Sequence, residues 1–166
     1  MAVPHIRNAT REDVPTILEF IKQLAIYEKA LDQVQATEES LTNTLFENPY
    51  AYVVIAEVEK DDHCKKPIGF SLYYYAYSTW TSRPTLYLED LYVMPEYRNK
   101  GVGKHLFKRL GEIAKEKECL RVEWSVLTWN SPSIGFYKNT LGAIMMDEWR
   151  TMRLDRAGIE RLACLV

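Results

Sequence analysis

Two acids side by side in an apolar stretch, Glu89 and Asp90 of Leu86-Tyr87-Leu88-Glu89-Asp90-Leu91-Tyr92-Val93-Met94, are the first residues here that could do chemistry. So apolar a setting makes an ionised carboxylate costly unless it is paired, hydrogen-bonded or working. Partial burial would raise its pKa toward the range of a general base; the plainer alternative is an acceptor for a neighbouring loop. A basic, glycine-containing turn follows at once, Arg98-Asn99-Lys100-Gly101-Val102-Gly103-Lys104. Glycines let a ligand approach the backbone, and the first unpaired N–H groups of a following helix, at the positive end of its dipole, suit a pyrophosphate. Between Tyr97 and Arg109 stand five Lys and Arg residues and no acid, whereas the 166-residue chain carries a net charge of −2, so the basic cluster is local. From the glycines alone, an ordinary turn and a solvated basic helix face remains the other reading.

A second group lies downstream in Trp129-Asn130-Ser131-Pro132-Ser133-Ile134-Gly135-Phe136-Tyr137-Lys138. Asn130 can cap a helix, Pro132 sits in its first turn where a missing N–H does no harm, and Tyr137 falls about two turns later. A helical tyrosine often only packs its ring. A phenol near a departing thiolate can also protonate it.

The elements that must hold these residues can be read from hydrophobic period and turn signals. A short strand near Ile6 precedes a helix capped by Thr10, with Val14, Ile17, Leu18, Ile21, Leu24 and Ala25 recurring at three and four residues. Thr37 offers a cap for a second helix over 38–46. Strands over 50–58 and 68–77 read as a hairpin around the charged turn 59–66. A strand over 86–94, a helix over 101–116, a strand over 120–127, a helix over 131–139 and strands over 143–146 and 149–154 complete the order. Strict alternation along the central strand puts Leu86, Leu88, Asp90, Tyr92 and Met94 on one face and Tyr87, Glu89, Leu91 and Val93 on the other, so the two acids are expected to point apart.

Length and composition fit one domain spanning 1–166. Three cysteines, Cys64, Cys119 and Cys164, lack metal-type spacing and leave one thiol over, which favours a reducing compartment and predicts no metal site. The start lacks a long apolar stretch and no run reaches the length of a membrane span, so the expectation is a cytoplasmic protein that engages neither membrane nor nucleic acid.

Neither of the common phosphate loops fits. Gly101-Val102-Gly103-Lys104-His105 lacks the spacing and hydroxyl of a P-loop, and three clustered glycines near the start of a βαβ unit are missing. Arg-x-x-Gly-x-Gly after a strand resembles the pyrophosphate loop of the GNAT acetyltransferases. Nearly the whole chain resembles the diamine acetyltransferase branch of that superfamily, which includes spermidine/spermine and thialysine acetyltransferases. The resemblance rests on Ile6-Arg7-Asn8-Ala9, the run from Ile21 to Glu28, Asp32-Gln33-Val34, Ala56-Glu57-Val58, Tyr73-Tyr74-Tyr75, Tyr87-Leu88-Glu89-Asp90, Val93-Met94-Pro95-Glu96-Tyr97-Arg98, Trp129-Asn130 and Phe136-Tyr137-Lys138.

That resemblance implies an α/β (α+β) GNAT fold: a mixed, mostly antiparallel sheet flanked by helices, with splayed central strands holding the cofactor. It implies acetyl-CoA as cosubstrate, no metal, and a homodimer. Leu91, Tyr92 and Val93 would meet the pantetheine arm, and Arg98, Asn99, Lys100, Gly101, Val102, Gly103 and Lys104 the pyrophosphate. Asn130, Ser131, Pro132, Ser133, Tyr137 and Lys138 would also touch the cofactor. Glu89 would take the amine proton and Tyr137 would protonate the leaving sulfur. Tyr27, Glu28, Ser78, Trp80, Glu89, Asp90, Glu123, Trp124, Ser125 and Trp149 match positions around the amine, where acids and aromatic rings suit a cation.

Two loop residues depart from the family pattern. Asn99 stands where a glycine is common and tolerates left-handed backbone, and Lys104 replaces a small hydroxyl residue. Ser78 stands where polyamine enzymes carry an acid. Together with Trp80, Tyr92 and the unbroken run from Met94 to Arg98, it points to thialysine or a lysine-like amine. A polyamine is the alternative, with a protein acetyltransferase or a noncatalytic acyl-CoA-binding module behind it.

Overall fold

The computed structural model describes residues 3–59 and 64–166. Met1, Ala2 and the middle of the charged turn, residues 60–63, lie outside that description. The described chain falls into two compact units, one ending at Ser125 and the other spanning Val126–Val166.

The first unit is a five-stranded sheet in the order β1-β2-β3-β4-β5. Its strands are β1 (His5–Asn8), β2 (Tyr52–Glu59), β3 (Lys65–Ser78), β4 (Arg83–Val93) and β5 (Arg121–Trp124). The first three pairings are antiparallel; β4 and β5 are parallel. A parallel neighbour needs a crossover, and the helix over Val102–Glu116 provides it.

Both faces of the sheet are covered, so β2 is apolar almost throughout rather than alternating. Val54, Ala56 and Val58 of β2, with Ile68, Leu86 and Leu88, meet Val102, Leu106, Leu110 and Ile113 of the Val102–Glu116 helix. Val53, Ile55, Phe70, Leu72 and Tyr92 meet Val14, Ile17, Leu18 and Phe20 of the helix over Val14–Tyr27. In chain order these helices are α1 (Val14–Tyr27), α2 (Glu38–Thr42) and α3 (Val102–Glu116). Thr37 caps α2 through its side-chain oxygen, which accepts from the Ser40 backbone N–H at 3.1 Å, and the helix runs on as a π-turn over Asn43–Glu47.

The edge strand β1 is short and held by charge as well as by its ladder. Glu57, buried in β2, accepts from Arg7 Nε at 2.8 Å and pairs with His5 Nδ1 at 2.9 Å and Lys65 Nζ at 3.1 Å. Arg7 also grips Asp13 through both terminal nitrogens. These cations hold the Glu57 carboxyl down at about 2 against the desolvation that would raise it.

In the second unit, α4 (Ser131–Leu141) and α5 (Arg156–Ala163) are the helices. The strands expected over 143–146 and 149–154 do not form. Hydrogen bonds there are local: Trp149 N–H donates to Met146 O at 3.1 Å, and the Arg150 guanidinium donates to Asp147 O at 2.9 Å. With no ladder partner, the β-type residues Ile144, Met146 and Met152 stay exposed. Asp155 instead starts α5, its Oδ1 accepting from Gly158 N–H at 2.8 Å.

Candidate active site

The acids of β4 are positioned by an irregularity that strict alternation could not foresee. Leu72 faces Asp90 and Tyr73 faces Leu88, so Glu89 is the extra residue of a β-bulge. The bulge switches the parity of the strand. Leu86 and Leu88 before it, and Leu91 and Val93 after it, pack toward α3, while Tyr92 packs toward α1. The expected grouping of Leu86, Leu88 and Tyr92 on one face is therefore corrected.

Glu89 is exposed, and Asp90 is half-buried. Burial pushes the Asp90 carboxyl up to about 6, helped by the negative charges of Glu89 and Glu28. Glu28, the residue closing α1, is itself raised by burial around its carboxyl. Three acids thus share one neighbourhood, brought together by the end of α1 and the bulge of β4. Their mutual repulsion and lost hydration are what a bound cation would relieve.

The ladder between β4 and β5 ends at Leu88 and Trp124. Beyond it, residues 90–93 of β4 pair with β3, and their other backbone edge has no strand opposite among the described residues. Gly69 lets β3 run close to this segment, because a Cβ there would lie 2.6 Å from Tyr92 O. The edge leads into the basic turn, where Asn99 (φ 58°) and Gly101 (φ 83°) both take left-handed backbone. Gly101 is the N-cap of α3 and has no side chain with which to occupy the helix's first N–H groups. Open backbone donors on a positive helix end fit a pyrophosphate.

The basic side chains of that turn are less free than their sequence suggests. Arg98 Nε donates to Val93 O at 2.9 Å, and Lys100 Nζ donates to Glu96 O at 2.6 Å. Lys108 and Arg109 pair with Glu112, and Arg109 also with Glu116. Lys104 is exposed at the start of α3, following Val102 and Gly103.

The other predicted substrate residues of this unit do not all gather here. Ser78 faces Arg83 at the far end of the β3–β4 ladder, whereas Asp90 faces Leu72. Six residues of β3, from Leu72 to Ser78, at about 3.3 Å each separate the two positions by roughly 20 Å. Trp80 lies in the same turn, with the Arg121 guanidinium 5.9 Å from its ring, and Arg121 also reaches Glu123 at 3.8 Å. Trp124 packs edge-on against Phe107, centroids 5.2 Å apart. Ser125 also reaches the acids' strand: its hydroxyl hydrogen-bonds the Tyr87 hydroxyl at 2.8 Å.

Tyr74 and Tyr87 were not among the predicted site residues. Their rings lie 5.1 Å apart, and burial together with the nearby charge of Glu89 raises the Tyr74 phenol. The aromatic run Tyr73-Tyr74-Tyr75 was the available signal, since its middle member faces away from its neighbours.

In the second unit, Asn130 is buried and caps α4, its Oδ1 accepting from Ser133 N–H at 3.4 Å. Ser131, Pro132 and Ser133 form the first turn, Tyr137 and Lys138 follow on the same helix, and the Tyr137 ring lies 5.7 Å from that of Phe136. Trp149 is exposed in irregular chain rather than on a strand.

Residues 17–143 match the family described as the acetyltransferase (GNAT) family. The chain belongs to the GNAT acetyltransferase family. Thialysine N-epsilon-acetyltransferase of Sus scrofa is 41% identical over 172 aligned positions, covering 98% of this acetyltransferase and 99% of that one. Spermidine/spermine N(1)-acetyltransferase-like protein 1 of Homo sapiens is 37% identical over 156 positions, covering 91% of this chain and 22% of that longer protein. Among solved structures, an integron cassette protein from the mobile metagenome of V. cholerae superposes with a TM-score of 0.75 at 26% identity, covering 98% and 99% of the two chains. This GNAT enzyme is an N-acetyltransferase, and its mixed sheet with flanking helices is the fold the sequence predicted. Among the described residues no group of three or more His, Cys, Asp or Glu side chains is placed to hold a metal, and no helix is long and apolar enough to cross a membrane.

Proposed function

We propose that this acetyltransferase uses acetyl-CoA to acetylate the primary amine of a small cationic substrate, thialysine or a lysine-like amine, by direct transfer in a ternary complex. The observation that carries the reading is the meeting of Glu28, Glu89 and Asp90 beside an open strand edge that leads into the Gly101 turn. When bound, acetyl-CoA supplies an activated thioester. The backbone of Leu91, Tyr92 and Val93 would hold its pantetheine arm, and the N–H groups from Arg98 to Lys104 its pyrophosphate. Asn130 and the first turn of α4 would complete the cofactor contacts.

The acids have two tasks. As a group they attract a protonated amine and fix its charged end; singly, one of them must take a proton so that the nitrogen gains a free lone pair. Glu89, exposed on the bulge, is assigned that role, directly or through water. Asp90, titrating near 6, is its competitor. Tyr137 is assigned the proton given to the departing sulfur. Holding both reactants in line should supply much of the acceleration.

A polyamine is the second reading, favoured by the same three carboxylates. Ser78 weighs against it by removing one acid from the set. Since Ser78 and Trp80 stand far along the sheet from Asp90, they would serve an amine bound at Asp90 only if contributed by a second copy, in keeping with a proposed homodimer. We place the enzyme in the cytoplasm. Steady-state kinetics with thialysine, lysine, putrescine and spermidine, each with acetyl-CoA, test the assignment. Thialysine or lysine should give the highest kcat/KM; equal use of spermidine would defeat the reading of Ser78.

A further inference from the structure

We propose that the Arg98 side chain is a positioning residue: it locks the last turn of α1, and with it Tyr27 and Glu28, to the end of β4 and the start of the Gly101 turn. The inference rests on the assignment of Glu28 to the amine end of the site.

Three contacts carry it. Arg98 Nε donates to the carbonyl of Val93, the last residue of β4, at 2.9 Å. Its guanidinium carbon sits 5.3 Å from the Tyr27 ring centroid and 5.7 Å from that of Tyr92. Tyr27 ends α1, and Tyr92 is pinned to the same helix by Phe20, their rings 5.4 Å apart. One side chain therefore touches the two elements that bring Glu28 and Asp90 together, while its own backbone belongs to the turn before α3.

The chemistry of arginine suits that task better than lysine would. Its planar cation can lie over aromatic rings while a separate N–H serves a carbonyl, and its charge persists at any working pH. A side chain committed in this way is not directed at a phosphate. The turn can still bind one through its backbone N–H groups, which need no side chain. Loss of Arg98 would then disturb the amine end more than the cofactor.

The test combines Arg98→Lys, Arg98→Ala and Tyr27→Leu with the double variant Arg98→Lys/Tyr27→Leu. Coenzyme A affinity is read by calorimetry, steady-state constants with thialysine, and backbone hydrogen exchange over residues 25–28. Arg98→Lys should raise the amine KM about 10-fold with little change in kcat, and move coenzyme A affinity by less than about 3-fold. The double variant should be no worse than the poorer single one, because both remove the same contact. In Arg98→Ala the amides of 25–28 should exchange about 10-fold faster, as a loosened helix end does. Coenzyme A affinity falling 10-fold or more with an unchanged amine KM would make Arg98 a phosphate ligand and overturn the proposal. Additive effects in the double variant, or unchanged exchange over 25–28, would overturn it as well. If the wild type acetylated none of the four amines, the functional assignment would fail, and the exchange result would decide the role of Arg98 by itself.

Discussion

Asp90→Asn should make the protein more stable at pH 8 and a poorer enzyme. In the folded chain the Asp90 carboxyl is moved from 3.8 to about 6 by burial and by the charges of Glu89 and Glu28. A displacement of that size disfavours the ionised form by about 3 kcal/mol at most. The folded state therefore holds this proton more tightly than the unfolded chain does. The native stability linked to Asp90 is fully present below pH 3.8 and is lost as pH rises through 6. Asparagine keeps the shape and carries no charge, and no hydrogen bond to the Asp90 carboxylate is present among the described residues to be lost. Urea unfolding of both proteins from pH 4 to 8 should show the variant more stable by about 1–3 kcal/mol at pH 8, shrinking to under about 1 kcal/mol at pH 4. Its kcat/KM for a cationic amine should fall, since the strain removed is the strain that a bound cation relieves. A gap that is the same at pH 4 and pH 8, or a variant less stable at pH 8, would refute the reasoning.

Tyr137→Phe should lower turnover while coenzyme A binding, read by calorimetry, is largely kept; wild-type turnover would remove Tyr137 from the acid role. Glu89→Gln should flatten the acidic limb of the pH–rate profile, and an unchanged limb would pass the base role to another group, Asp90 first. Glu57→Gln should cost about 3–5 kcal/mol in urea unfolding, because His5, Arg7 and Lys65 converge on a buried charge that the amide lacks. With Glu57 held at about 2, below its ordinary 4.5, the wild-type contribution is present above pH 4.5 and is lost as pH falls through 2, which an acid-unfolding curve will show. Gly101→Ala should cost about 1–2 kcal/mol from its left-handed backbone alone, since a Cβ there meets nothing within 4 Å, and a neutral result would remove the conformational argument.

Much of the fold was legible because its signals are local. Thr37 and Asn130 cap where their short polar side chains must, and α3 shows its buried stripe at Val102, Leu106, Leu110 and Ile113. The bulge at Glu89 was not legible. Inserting one residue leaves the apolar composition of β4 unchanged and is fixed by its pairing with β3, which lies in another part of the chain. The strands expected over 143–146 and 149–154 failed for a related reason: β propensity describes a surface that fits a sheet, not the presence of an edge to join. The cap at Asp155 and the Arg156–Glu160 pair one turn apart were readable signs of α5. In the site, residue types were legible but side-chain commitments were not. Arg98 and Lys100 look like phosphate ligands by type, yet each donates to a backbone carbonyl four or five residues before it.

The early end of the β4–β5 ladder has a consequence for how such an enzyme can diverge. The edge of residues 90–93 turned away from β3 presents peptide N–H and C=O groups, which every residue but proline supplies alike, the Val93 carbonyl already accepting from Arg98. Mutation can rewrite Leu91 or Val93, within the limits of packing against α3, without altering what that edge presents. The acids at Glu28, Glu89 and Asp90 enjoy no such immunity, because their side chains are the signal. Under the function proposed above, drift in this chain would fall first on the choice of acceptor, leaving a donor-binding frame that descendants with other substrates could inherit intact.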